Sequence, residues 1–199
     1  MNVYKITTSG RKYLLTTAAC LLGLMCLAGC RRDQPPPLKV AAEPDAAAKS
    51  LPSGELSDAY LDRISTQAAV SENDAMHGLL LLVDGKDNAK NFAQRVKLLA
   101  DAGILSRNWT FVASRPITKG KLAYMVYQAA GMSGGVILSV SGPSQRYCLR
   151  ELQYQKVMVE TGSYYSPVSG MEFIAVLGRA DVYKRTGKVP GKAGDTEDY

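Results

Sequence analysis

The sequence predicts a mainly α domain built from repeated helix-loop-helix units, and three observations carry that expectation. Ser71, Thr118 and Ser169 each follow an apolar β-branched residue and precede a helical pattern, at spacings of 47 and 51 residues. Behind each hydroxyl, the fourth, eighth and eleventh residues are apolar: Ala75, Leu79, Leu82; Leu122, Val126, Ala129; Phe173, Leu177, Ala180. That spacing puts one apolar stripe on each helix. The helices that precede the second and third caps also correspond, since Leu149, Leu152 and Val157 lie 53 residues beyond Val96, Leu99 and Ile104. A pattern recurring at about fifty residues is the signature of an internal repeat.

Taken in order, the chain opens with Lys5, Arg11 and Lys12 and then an apolar run from Leu14 to Leu27. The run is short for a membrane span and right for a secretory leader over residues 1–29. Leu27-Ala28-Gly29-Cys30 resembles the lipobox of bacterial lipoproteins. That resemblance implies cleavage before Cys30 and acylation of its thiol (palmitate among the acyl groups). Arg31 follows directly, without the aspartate that in some bacteria retains lipoproteins at the inner membrane. The expected location is therefore the cell envelope, on the periplasmic face of the outer membrane rather than the inner.

Cleavage changes the charge and cysteine balance. The leader holds three of the 24 basic residues and no acidic ones. The mature chain keeps 21 basic residues against 18 acidic, a net charge of +3 rather than +6. No phosphate-binding stripe remains, so nucleic acid is not an expected partner. Cys20 and Cys26 leave with the leader, which makes Cys148 the sole thiol of the mature domain and rules out an internal disulfide. Cys148 sits in an apolar helical pattern and reads as a small buried group. Residues 30–54, with Pro35-Pro36-Pro37 and Ala46-Ala47-Ala48, read as the lipidated cysteine and an extended tether.

Within the folded part, residues 55–183, each Ser/Thr can accept a bond from an orphan N–H of the first helical turn. Glu172, three residues after Ser169, is expected to complete a capping box, with Asp74 a shorter acidic version. Asp58 to Thr66 reads as the first helix of a truncated first unit. Phe92, Val96 and Leu99 describe an amphipathic helix ending at Gly103-Ile104. Arg107 to Val112 alternates as a short strand or extended loop. Val136 to Val140 is a further short strand candidate. Residues 184–199 read as a polar, disordered tail.

A helix ending near Gly-Ile, an aromatic loop, and Pro-Ile-Thr opening a second helix together resemble the S-layer homology (SLH) repeat. The likeness spans roughly residues 57 to 182 and is closest from Leu99 to Gly131. It implies three units of a helical prism that holds envelope proteins on cell-wall glycans. In that family an arginine after the capping threonine contacts the anionic glycan. Here that position holds Glu72, Lys119 and Gly170, so only Lys119 keeps a positive charge, without the guanidinium fork.

The candidate ligand-binding residues are accordingly Lys119, Trp109, Tyr164 and Tyr165. Lys119 is either an anion contact at a helix start or a solvated surface lysine. The three aromatics either stack on sugar rings or pack over the helices. Gly131-Met132-Ser133-Gly134-Gly135 matches the G-x-S-x-G nucleophile elbow. It follows a helix rather than a strand, and the sole histidine, His77, lies upstream of it, so a glycine helix stop explains it better. One histidine and one free cysteine cannot close a zinc site, and no cofactor or metal is expected. The expected function is a non-catalytic, lipid-anchored module that binds or organises cell-wall or surface material. An accessory lipoprotein docking onto an outer-membrane or secretion complex is the alternative, and a small hydrolase using Ser133 or Cys148 is a remote one.

Overall fold

The computed structural model describes Lys39–Val40 and residues 58–189; the leader, Cys30, the rest of the tether and the end of the tail lie outside the described residues. The domain is mainly α. Its elements are β1 (Lys39–Val40), α1 (Asp58–Ser65), α2 (Glu72–Asp84), α3 (Phe92–Asp101), β2 (Thr110–Phe111), α4 (Lys119–Ala129), α5 (Val136–Ser141), α6 (Gln145–Tyr154) and α7 (Gly170–Thr186).

Caps define the helix starts. Ser71, Thr118 and Ser169 are the N-caps of α2, α4 and α7, each in extended backbone and each accepting from the N–H three residues on. Asn91 and Ser144 do the same for α3 and α6. Glycines end several helices. Gly103 (φ 74°) closes α3, where the Ile104 N–H reaches the Leu99 carbonyl at 2.9 Å. Gly131 (φ 60°) closes α4 in the same way, with the Met132 N–H on the Tyr127 carbonyl at 3.0 Å. This is the glycine stop expected of the Gly131–Gly135 segment. At the end of α6 the same turn recurs, Val157 N–H to Leu152 carbonyl at 2.8 Å, with Lys156 (φ 61°) in the glycine's place.

The three capped helices meet at their starts. The Val70 N–H donates to the Val168 carbonyl (2.8 Å), Ile117 N–H to Val70 (2.8 Å), and Val168 N–H to Ile117 (3.1 Å). These residues, each just before a cap, form a closed ring of three hydrogen bonds with every member fully buried. Around it, α2 touches both α4 and α7. The outer helices then pack cyclically: α3 on α2, α6 on α4, and α1 on α7. The first helix of the domain thus covers the last and closes the ring. Of the stripe residues, Ala75, Leu79, Leu122, Val126, Phe173 and Ala180 are solvent-free. Leu82 and Leu177 stay half-buried and line an apolar groove of about 380 Å³ with Leu61, Leu81 and Ile174.

Four expectations are corrected. Val136–Val140 is helical rather than a strand. Val136 and Val140 are 80% and 81% exposed while Leu138 turns inward, and among the described residues no strand pairs with this segment, so β propensity has no pleated surface to act on. Lys39–Val40, within the expected tether, pairs in parallel with Thr110–Phe111. The tail does not begin at residue 184, because α7 runs on to Thr186 and Val189 is buried. Lys184 Nζ holds that turn by donating to the Leu82 and Val83 carbonyls at the end of α2 (2.9 and 3.0 Å). Finally, the Glu172 side chain does not fold back on its own cap but pairs with Lys119.

Candidate functional site

The residues after the three caps, Glu72, Lys119 and Gly170, all lie at junctions where one capped helix meets the loop before the next. Each backbone N–H there already has a partner: Glu72 on the Arg115 carbonyl (2.8 Å), Lys119 on Ser166 (2.9 Å), Gly170 on Gln67 (2.9 Å). The first N–H of each of these helices is therefore satisfied by a neighbouring loop rather than left for a ligand.

At the first junction Glu72 is fully buried. Its carboxylate accepts from Arg115 through Nε (2.9 Å) and Nη2 (3.1 Å), from Lys121 Nζ (2.7 Å) and from the Val112 N–H (2.7 Å). Four donors fill the acceptor capacity of a carboxylate. Lys121 also lies 4.9 Å above the Phe111 ring and 5.7 Å above Trp109. Trp109 makes edge contacts with Tyr124 (5.0 Å) and Phe111 (6.1 Å). Trp109 is thus half-buried against its own domain, as ordinary packing requires.

At the second junction Lys119 is 5% exposed, a correction to its reading as a solvated lysine. Its ammonium donates to Glu172 Oε1 (2.7 Å), the Thr161 carbonyl (2.9 Å) and Thr161 Oγ1 (3.2 Å). Three partners use all three hydrogens, so no donor remains for an external anion. The cation tolerates its place at a helix start because Glu172 arrives from α7 to neutralise it. Removing either partner strands a buried charge, at a cost of about 3–5 kcal/mol. Tyr164 and Tyr165 lie on the same loop with ring centroids 3.9 Å apart; Tyr164 packs against the core and Tyr165 is 71% exposed. The Tyr164 carbonyl accepts from the Gly120 N–H at 2.8 Å.

At the third junction the position holds glycine for a steric reason. A Cβ on Gly170 would lie 1.7 Å from the Ile64 carbonyl oxygen, because the end of α1 closes directly over the start of α7. Of the four candidate ligand residues, the structure therefore brings Lys119 and Tyr164 to one junction, leaves Tyr165 outward beside them, and sets Trp109 at another.

A second cluster has no counterpart in the sequence reading. His77, Asp87, Arg95 and Asn73 are buried together behind Tyr60. Asp87 Oδ2 accepts from His77 Nδ1 and Arg95 Nε, both at 2.6 Å, and Oδ1 accepts from the Ala89 N–H (2.8 Å). Arg95 Nη1 reaches Asn73 Oδ1 at 3.0 Å, whereas Arg95 Nη2 is buried without a partner among the described residues. Tyr60 meets the His77 ring edge-on at 4.6 Å and donates its hydroxyl to the Asp74 carbonyl.

Burial alone would raise the Asp87 carboxyl, but the bonds from His77, Arg95 and Ala89 outweigh it and hold the acid below its ordinary range. Burial pushes the His77 imidazole down, against the opposing pull of Asp87. The physical reason is chiefly the cost of desolvating a charged imidazolium, to which the nearby Arg95 cation adds. His77 is thus a neutral donor that joins α2 to the loop before α3. Only its charge neighbours 10 and 18 residues on could have hinted at this, and sequence spacing alone does not single them out.

His77 and Cys148 have separate surroundings. The Cys148 thiol is fully buried on α6, and burial pushes it up to about 12, so it stays protonated and poorly nucleophilic. Ser133 is exposed in the loop after α4. Among the described residues, no group of three or more His, Cys, Asp or Glu could hold a metal ion, and no helix is long and apolar enough to cross a membrane.

Comparison of the chain with protein-family models, with curated proteins and with solved structures found no match.

Proposed function

We propose that this chain is a lipid-anchored envelope protein whose domain is an SLH-like scaffold that docks onto a protein component of the envelope without doing chemistry. The anchor rests on the lipobox-like Leu27-Ala28-Gly29-Cys30. Support for the SLH-like reading comes from the hydrogen-bond ring of Val70, Ile117 and Val168 and from the cyclic packing of the outer helices. Both relate three helix pairs by the offsets seen in sequence.

The observation that favours protein over wall glycan is the closure of all three junctions. Where the family's arginine would meet an anionic glycan, Glu72 is taken by Arg115 and Lys121, Lys119 by Glu172, and Gly170 by the Ile64 backbone. One feature favours a wall glycan as a second reading: Tyr165 offers an exposed ring braced by Tyr164, a suitable platform for a sugar.

Sedimentation with purified cell-wall sacculi, beside photo-crosslinking from residue 165 in intact cells, separates the two. The protein-docking reading expects the chain to stay in the supernatant and the crosslinker to yield a discrete protein adduct. Sedimentation with sacculi that Tyr165→Ala abolishes would overturn it in favour of glycan binding.

A further inference from the structure

From Ala102 to Arg150 the chain contains no Asp or Glu but six basic residues: Arg107, Arg115, Lys119, Lys121, Arg146 and Arg150. Three are spent on acids of neighbouring elements, Arg115 and Lys121 on Glu72 and Lys119 on Glu172. Arg107, Arg146 and Arg150 are exposed and form no ion pair among the described residues. Arg146, Arg150 and Tyr154 are four residues apart on α6 and so share one stripe. All three are exposed, Tyr154 by 64%.

Beside that stripe lies α5. Its Val136 and Val140, also four residues apart, are 80% and 81% exposed, while Leu138 faces inward at 7%. Val136, Leu138, Tyr147, Arg150 and Tyr154 line a shallow groove of about 290 Å³ between the two helices. Glu151 is the acid at its edge, and its carboxylate accepts from Gln155 (2.8 Å). The loop between α2 and α3 has no helix corresponding to α5. This helix is therefore an insertion that presents two β-branched apolar side chains to solvent, without helix propensity to justify them.

We infer that the α5–α6 face is a membrane contact that seats on an anionic lipid surface. The apolar tip at Val136 and Val140, the aromatic Tyr154 and the flanking unpaired arginines follow the order in which a bilayer presents hydrocarbon, interface and charged headgroups. Charge complementarity selects the occupant: Arg146 and Arg150 outnumber the one acid of the face, Glu151, and the net positive charge suits anionic headgroups, each basic residue adding about fivefold to partitioning. A lipid surface also needs no shape match, which suits a shallow groove flanked by two outward valines. With a lipid on Cys30 the face would hold the domain down on its membrane, yet it does not depend on that lipid.

The test is vesicle flotation of the full chain carrying Cys30→Ala, which cannot be acylated. Its leader is the same in every variant, so differences between variants belong to the face. Binding is expected to be stronger on vesicles containing phosphatidylglycerol than on pure phosphatidylcholine, and to weaken with salt. Arg146→Gln/Arg150→Gln and Val136→Ser/Val140→Ser are each expected to lower partitioning at least tenfold while keeping the wild-type thermal unfolding. Unchanged partitioning in both double variants, or a crosslink from residue 140 to protein with no vesicle binding, would overturn the inference. The anchor is read separately from the mass of Cys30 in the native chain, so either can fail alone.

Discussion

Gly170→Ala drives a Cβ to 1.7 Å from the Ile64 carbonyl oxygen and 2.7 Å from its carbon. Both obstacles are backbone, so no side chain can rotate away. Relief requires α1 to move by more than 1 Å from the start of α7, which disturbs two hydrogen bonds at that seam: Gly170 N–H to Gln67 and Val70 N–H to Val168. Overpacking of this kind costs about 1–3 kcal/mol, and each weakened bond about 0.5–1.5 kcal/mol more. The usual gain of alanine over glycine in a helix, about 1 kcal/mol, offsets part of it. A net loss of about 1–5 kcal/mol is expected in urea unfolding at constant m-value. Gly178→Ala is the control within the same helix: its Cβ meets nothing within 4 Å, so it should be neutral or stabilise by up to about 1 kcal/mol. Equal stability of the two variants would refute the closure of α1 over α7.

Two further outcomes are expected. Lys156 occupies the left-handed position that Gly103 fills at the end of α3, so Lys156→Gly should raise stability by about 0.5–1 kcal/mol in thermal or urea unfolding; a loss would mean that the lysine side chain holds the turn. For pH, His77 in the folded state is depressed below 6.5, so the unfolded chain binds the proton first and stability falls as pH drops below about 6.5, by at most about 1.4 kcal/mol per unit. His77 is the sole histidine, so His77→Gln should flatten the profile between pH 7.5 and 5; an unchanged slope would place the effect on carboxylates instead.

What was legible in the sequence lies within a few residues of itself. Ser71, Thr118 and Ser169 read as caps because a hydroxyl and the N–H three residues on are brought together by the first helical turn alone. Gly103 and Gly131 read as stops for the same local reason. The 53-residue match of Leu99 and Ile104 with Leu152 and Val157 proved to join the same pairs of residues by the same turn hydrogen bond. The Val136–Val140 reading failed because a short apolar run after Gly134-Gly135 does not say whether a partner strand exists to complete it.

Charge partners were the less legible part of the site. Lys119 and Glu172 are 53 residues apart, and Glu72 and Arg115 are 43 apart. Nothing in either spacing says that they meet. Lys119 could be read as solvated or ligand-binding only because its neutralising acid comes from another helix.

By itself, the sequence determined a mainly α chain, the starts of its three capped helices, the glycine ends of α3 and α4 and most of each inward stripe. Those properties depend on hydrogen bonds and burial that a single helix specifies. Only the tertiary structure decided that α1 closes on α7, that the three junction positions are filled from within, that His77 is locked neutral against Asp87, and that α5 faces outward. Each of these is a through-space pairing, and its energy exists only once the ring of helices has brought the partners to hydrogen-bond distance and excluded water from between them.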